Sequence, residues 1–354
     1  MKTILHIVGN RPQFIKLAVL YKELSSTGIP QKIIHTGQHS SAGMSDIFFS
    51  ELSIPKVDKF LSIESKGDTD SFIGKASGLL QEYFKTNNNN IVFVYGDTNT
   101  TLAGAIGAKR INIPLFHFEA GVRTGDLSMP EEINRILTDR LADTNYCCTE
   151  RNYSTMIAEG YSTAIKSKVL LSGDLMYDAF LKIPVSDKNV IGEEEYVVVT
   201  IHRAANILSK ENLSEIIYGL NNIHKNIPVV MPIHPHTKKR IDEYGLTPGF
   251  IALDPLGYPA MKKLLSDCSY VITDSGGAAR EAFFCGKRSL TVMNDPFWPE
   301  IIEAGCSIKT SASAEHLLNS FLKLNSLKPD FETRIFGNGN ASQIIKEDIL
   351  KYND

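Results

Sequence analysis

The 354-residue sequence has one tryptophan, Trp298, and five cysteines, Cys147, Cys148, Cys268, Cys285 and Cys306, none in a CxxC pair. That odd, scattered set argues against a zinc site and a disulfide framework, and fits the reduced thiols of a cytosolic protein. No apolar run approaches the roughly 18 residues that a membrane span needs. The opening MKTILHIVGN is apolar for only a few residues and has no signal-peptide cleavage site. A net charge of -3 supplies no basic field for nucleic acid or an anionic membrane. There is no GxGxxG and no P-loop lysine, which weighs against dinucleotide and ATP sites, and no HExxH, which weighs against a metal.

What is present is a rhythm. With 43% hydrophobic and 22% charged residues, the chain is a globular protein too long for one ordinary core. Short apolar runs alternate with helix-period segments: ILHIV, KIIHTG, IVFVYGDT, PLFHFEAG, NYCCTE and KVLLSGD, then YVVVTIHR, PVVMPIHP, FIALDPLG, YVITDSGG and SLTVMND. Such alternation predicts parallel sheets covered on both faces, an α/β chain of two doubly wound, Rossmann-like domains. The polar stretch LKIPVSDKNVIGEEE (181–195) separates them, so that residues 1–180 form the first domain, 181–335 the second, and 336–354 a terminal helix capped by Asn340 or Ser342. NNNN (87–90) reads as a loop. Helix 11–25 shows Phe14, Ile15, Ala18, Val19 and Leu24 on one face, and helix 130–143 shows Ile133, Ile136, Leu137 and Leu141 as its core stripe, with Glu131 pointing away.

In such sheets ligands bind beyond the carboxyl ends of the strands. Those positions here are rich in chemistry. TDSGGAAREAF runs strand, glycine pair, helix, where Ser275, Gly276 and Gly277 either cap a helix or receive a phosphate on backbone N–H groups. Glu281, about one and a half turns on, is either solvated surface or a partner for a ribose diol. Arg11 and Lys16 place two cations at a helix start, against the macrodipole, which makes sense beside an anion. Asp97, Glu119 and Glu131 are three carboxylates at strand ends or helix starts; desolvation suits them for acid–base work. His202 and His234 follow the strands of the second half and suggest a cleft titratable near neutrality. The lone Trp298, in TVMNDPFWPE, is either a packing plug or part of a loop that closes on a ligand.

Taken in order, GNRPQFIK, HTGQH, VYGDTNTTLAG, HFEAGVRTGD, MPEEINRILTDRLAD, TIHR, PIHPHT, DPLGY and TDSGGAAREAF resemble the non-hydrolysing UDP-N-acetylglucosamine 2-epimerases over about residues 2–345. HTGQH…MSDIFF…ELSIP looks like the branch that acts on modified sugars such as UDP-2,3-diacetamido-glucuronate. The resemblance implies the two-lobed GT-B arrangement and C2 inversion of a UDP-2-acetamido sugar by elimination and readdition of UDP through a 2-acetamidoglucal. It implies no NAD, no metal, and a homodimer. It assigns proton handling to Asp97, Glu119, Glu131 and His202 without separating base from acid. It assigns the diphosphate to Arg11, Ser275, Gly276 and Gly277, the ribose to Glu281, and the anion or the glycal to Lys16. Gln38, His39, Arg123, Arg135, His234 and Tyr258 complete the expected substrate-binding set. Two departures stand out: HRAAN has Ala205 where the family has Glu, and NDPFWPE has Asn294 and Trp298 where many relatives have Arg. A hydrolysing 2-epimerase, a GT-B glycosyltransferase and a protein with a dead site are the alternatives to this reading.

Overall fold

Eleven of those apolar runs become strands because each can bury both faces under helices. The computed structural model describes residues 2–38, 49–63, 69–86, 90–187, 189–192 and 195–353. The chain divides into two units, Met1–Ile183 with Arg334–Asp354, and Pro184–Thr333.

In the first unit, β1 (Thr3–Val8), β2 (Gln31–His35), β3 (Lys59–Phe60), β4 (Asn90–Tyr95), β5 (Leu115–Ala120), β6 (Thr144–Cys147) and β7 (Lys168–Leu171) form one parallel sheet in the order β3-β2-β1-β4-β5-β6-β7. In the second, β8 (Val197–Thr200), β9 (Val229–Pro232), β10 (Ile251–Leu253), β11 (Tyr270–Thr273), β12 (Ser289–Val292) and β13 (Ser307–Thr310) are ordered β10-β9-β8-β11-β12-β13, again all parallel. Both orders reverse direction beside their first strand, so β1/β4 and β8/β11 are the switch points where such sheets open to a ligand. The sequence reading passed over β3 and β13. β3 has only two residues and β13 reads SIKT, so neither has the apolar run that marks the others. Asn90, expected in a loop, starts β4, where its amide donates to the Phe84 carbonyl; residues 87–89 lie outside the described residues.

The helix Arg11–Ser25 is buried on more than the expected face, because the helices Leu175–Lys182 and Ala341–Asn353 cover it. The last of these is fastened within the first unit by tertiary partners. Asp178 accepts from the N–H of Ala341 (3.0 Å), the N–H of Ser342 (2.9 Å) and the Ser342 hydroxyl (2.6 Å). The cap expected from Asn340 or Ser342 is thus supplied by a carboxylate of another helix, a contact typically worth about 0.5–2 kcal/mol. Tyr146 and Lys168 both hold Asp348, and Lys346 pairs with Glu23.

All five cysteines are free thiols, and burial pushes Cys268 up to about 12 and Cys285 and Cys306 up to about 11. Among the described residues no helix is long and apolar enough to cross a membrane.

Candidate active site

The β1/β4 switch point of the first unit is built around a residue the sequence reading overlooked. Gln13 is 1% exposed and sits in the first turn after Arg11-Pro12. Its Oε1 accepts from Gly9 N–H at 2.7 Å, and its Nε2 donates to the Tyr95 carbonyl at 2.9 Å and to the hydroxyls of Thr98 and Thr101. One amide therefore ties the end of β1 to the end of β4. The available signal was a glutamine inside an otherwise apolar helix face. Asn10 caps the same helix by accepting from Gln13 N–H, leaving Arg11 half-buried at its start. Gln38 accepts from the N–H and hydroxyl of Thr100 (2.9 and 2.7 Å), so its carbonyl holds the loop after β2 on the helix Asn99–Lys109. His39 lies outside the described residues.

Each of the two strand-end carboxylates is held by a buried cation. Lys16, 3% exposed, pairs with Glu119, and its ammonium also lies 5.8 Å from the Phe118 ring. Glu119 has φ +71°, a left-handed backbone that a glutamate adopts only at a cost of about 1–3 kcal/mol. The β5/β6 register shifts at this point, between Phe118 and Ala120. Asp97, 24% exposed, pairs with Arg135, which also pairs with Glu132. Burial works against the Arg135 charge, and the two carboxylates more than offset it, raising its pKa.

The helix Pro130–Leu141 corrects the expected stripe. Ile133 and Leu137 are 44% and 46% exposed, while Glu132, Asn134, Arg135, Thr138 and Asp139 are buried. Its inward face is a polar network, which hydrophobic periodicity cannot signal. Glu132 accepts from Thr124 N–H and hydroxyl and from Gly125 N–H; burial alone would raise its pKa, and these donors together with Arg135 lower it. Glu131, the residue singled out from sequence, is half-buried in the first turn. Arg135 was expected to bind substrate, but it is 1% exposed and stands behind Asp97. Arg123 likewise gives its guanidinium to Asp139 (2.7 Å) and Glu159 (2.8 Å). Both arginines organise the site's carboxylates.

In the second unit, His202 follows β8 and Ser275 follows β11, the two sides of that switch point. Ser275 caps the helix Gly276–Phe284, its hydroxyl accepting from Ala278 N–H. Gly276 is demanded by packing: a Cβ there would lie 2.7 Å from the Phe297 ring, whereas one on Gly277 would meet only the Ser275 hydroxyl, at 3.6 Å. Asp274, directly after β11, is fully buried and accepts from the N–H groups of His202 (3.0 Å) and Arg203 (2.9 Å) and from the Asn206 amide (2.9 Å). It clamps the loop that presents His202, whose side chain is 42% exposed. The rings of His202 and His234 are brought to 5.9 Å, and His236 adds a third ring 5.4 Å from His234. Glu281 is half-buried on the Ser275-capped helix. Tyr258, at the start of the helix Tyr258–Asp267, is 1% exposed, so its ring belongs to the core.

Trp298 resolves into the plug. It is 3% exposed, its indole N–H donates to the Gly276 carbonyl at 3.0 Å, and the Arg280 guanidinium lies 4.6 Å from its ring. It braces the glycine turn from behind, while Phe297 packs on Gly276 and lies 4.3 Å from the Arg203 guanidinium.

Comparison with known proteins decides what these two halves belong to. The family profile of UDP-N-acetylglucosamine 2-epimerases matches residues 22–350. The chain belongs to this family. Among its relatives, the UDP-2,3-diacetamido-2,3-dideoxy-D-glucuronate 2-epimerase of Pseudomonas aeruginosa is 36% identical over 353 residues, covering 98% of this chain and 99% of the relative. The UDP-N-acetylglucosamine 2-epimerase of Methanocaldococcus jannaschii is 33% identical, with 98% of each chain covered. A crystal structure of the M. jannaschii UDP-GlcNAc 2-epimerase in complex with UDP-GlcNAc and UDP matches with a TM-score of 0.90, at 33% identity over 99% of both chains. Of the departures from this family's motifs, Ala205 is exposed and its carbonyl accepts from Asn212, and Asn294 is exposed with its carbonyl facing Lys309. The retained Asn206 is explained by its bond to Asp274.

Proposed function

We propose that this 2-epimerase interconverts UDP-GlcNAc and UDP-ManNAc. A base takes the C2 proton, the C2–H electrons form the C1=C2 bond, and the C1–O bond breaks with its pair leaving on UDP. UDP oxygen then re-adds to C1 of the 2-acetamidoglucal while a proton reaches the opposite face of C2. Asp97, Glu119, Glu131 and His202 are the proton-handling set. Arg11, Ser275, Gly276 and Gly277 meet the diphosphate, whose departure calls for cations and N–H donors, and Glu281 meets the ribose.

The observation that carries this reading is the pair of strand-end carboxylates, Asp97 after β4 and Glu119 at the end of β5, each beside a buried cation. A carboxylate can take the proton from the weakly acidic C–H, and positive charge close by stabilises the anion that develops. A second reading, a diacetamido-uronate or another modified sugar as substrate, is favoured by the Pseudomonas relative. Incubation with UDP-GlcNAc in deuterated water, followed by NMR, tests the proposal. Deuterium at C2 with UDP-ManNAc is the expected result. Exchange without net product points to the modified sugar, free sugar to hydrolysis, and no exchange with any UDP-2-acetamido sugar rejects the elimination mechanism.

The same reading takes the protein to be a cytoplasmic homodimer. The exposed Ile133 and Leu137 suit a second copy; sedimentation at the monomer mass at micromolar concentration would contradict it.

A further inference from the structure

Three histidines lie in the first sheet with no exposed surface: His6, His35 and His117. Two of them have a ring nitrogen facing a group able to donate. His6 Nδ1 faces the Tyr95 hydroxyl, and His35 Nδ1 accepts from Gly37 N–H. Burial holds both down at about 4, which keeps them neutral.

His117 differs. Its Nε2 lies 2.7 Å from the Gly96 carbonyl and its Nδ1 2.7 Å from Asp139 Oδ1. A carbonyl has no proton to give, so Nε2 donates. Asp139 is itself surrounded by donors: its other oxygen accepts from Gly121 N–H (3.1 Å) and from Arg123 (2.7 Å). Burial alone would raise the Asp139 pKa, but its hydrogen-bond donors lower it, and the Arg123 guanidinium, always charged, lies against it, so it is a carboxylate and can only accept. Each His117 nitrogen thus faces an acceptor; an imidazolium, with a proton on both, fits the two contacts, and the Asp139 charge matches it.

What that cation grips is the turn that carries Asp97. Gly96 has φ +66°, and its N–H donates to the Phe118 carbonyl at 2.9 Å, so β5 holds Gly96 through both its N–H and its carbonyl. Arg135 and Asp139 are one turn apart on the helix Pro130–Leu141. That helix thus reaches the turn three times: Arg135 pairs with the Asp97 carboxylate, the Asn134 amide donates to the Asp97 carbonyl at 3.0 Å, and Asp139 acts through His117 on the Gly96 carbonyl. We infer that His117, as an imidazolium, is a positioning residue that fixes the Gly96-Asp97 turn for proton transfer. The role rests on the proposed function, in which Asp97 handles the proton.

Nitrogen NMR of the full chain labelled with 15N-histidine tests the charge, with the His117 signals assigned from their loss in His117→Gln. Two protonated ring nitrogens are expected at pH 7, and one unprotonated nitrogen would overturn the inference. In Asp139→Asn the ring is expected to become singly protonated; that variant also serves if His117→Gln fails to fold. For folded His117→Gln, which can supply only one of the two bonds, the rate of C2 exchange is expected to fall about 10- to 100-fold, the scale of a misplaced catalytic group. KM is expected to stay within about 3-fold. An unchanged kcat with a lowered Tm would make His117 a core group only. Absence of exchange in the unsubstituted protein rejects the functional reading and the positioning role with it, while the nitrogen spectra still decide the charge.

Discussion

Asp97→Asn is expected to slow C2 deuterium exchange at least ~100-fold, the low end of what a positioned acid–base group contributes. The substitution is close to isosteric. The amide oxygen can still face Arg135, which keeps Glu132 as a second partner, so the fold should survive. What is lost is the ability to accept and return a proton. Affinity for UDP should change less than about 2-fold, since the second unit has its own sheet and core and contains the Ser275-Gly276-Gly277 turn. Titration calorimetry with UDP, run beside the exchange assay, separates the two effects. Near-normal exchange would remove Asp97 from the proton-handling set.

Arg135→Met should have the largest effect on stability. The guanidinium is fully buried and bridges two carboxylates, and methionine replaces the apolar stem without the charge. Removing one member of a buried ion pair costs about 3–5 kcal/mol, because a buried charge is left uncompensated. Glu132 retains the N–H groups of Thr124 and Gly125, whereas Asp97 loses the cation beside it. For a unit of this size that corresponds to a fall in Tm of roughly 10 °C, readable by calorimetry. Arg135→Lys should recover only part of it, since one ammonium cannot span two carboxylates as a planar fork does. A shift below about 2 °C would mean that the bridge does not carry the helix Pro130–Leu141.

The two arginines show where sequence reasoning stopped. Arg123 and Arg135 belong to the substrate-binding set that the resemblance implies. In the structure Arg135 has one local partner, Glu132, but Asp139 beside Arg123 and Asp97 beside Arg135 lie 16 and 38 residues away in sequence, and no local pattern announces them. The same holds for Lys16 and Glu119, 103 residues apart, and for Tyr146 and Asp348, 202 apart. The stripe of the helix Pro130–Leu141 failed for a related reason. Periodicity assumes that the buried face is apolar, and here polar groups satisfy one another inside, leaving Ile133 and Leu137 outside.

From sequence alone come the alternation of strand and helix, two parallel α/β units, the glycine turn after β11, the carboxylates after β4 and in β5, and the family. These are local properties, set by which residues can lie in a strand, end it or cap a helix. The tertiary structure decided that β1 lies beside β4 and β8 beside β11, that Gln13 and Asp274 hold the two switch points, and that Trp298 is a plug. It also decided which carboxylate meets which cation, and that of three buried histidines only His117 has a carboxylate at one ring nitrogen and a backbone carbonyl at the other. Each of these depends on which partner is brought within hydrogen-bond distance, and a buried charge or amide takes its state from that partner.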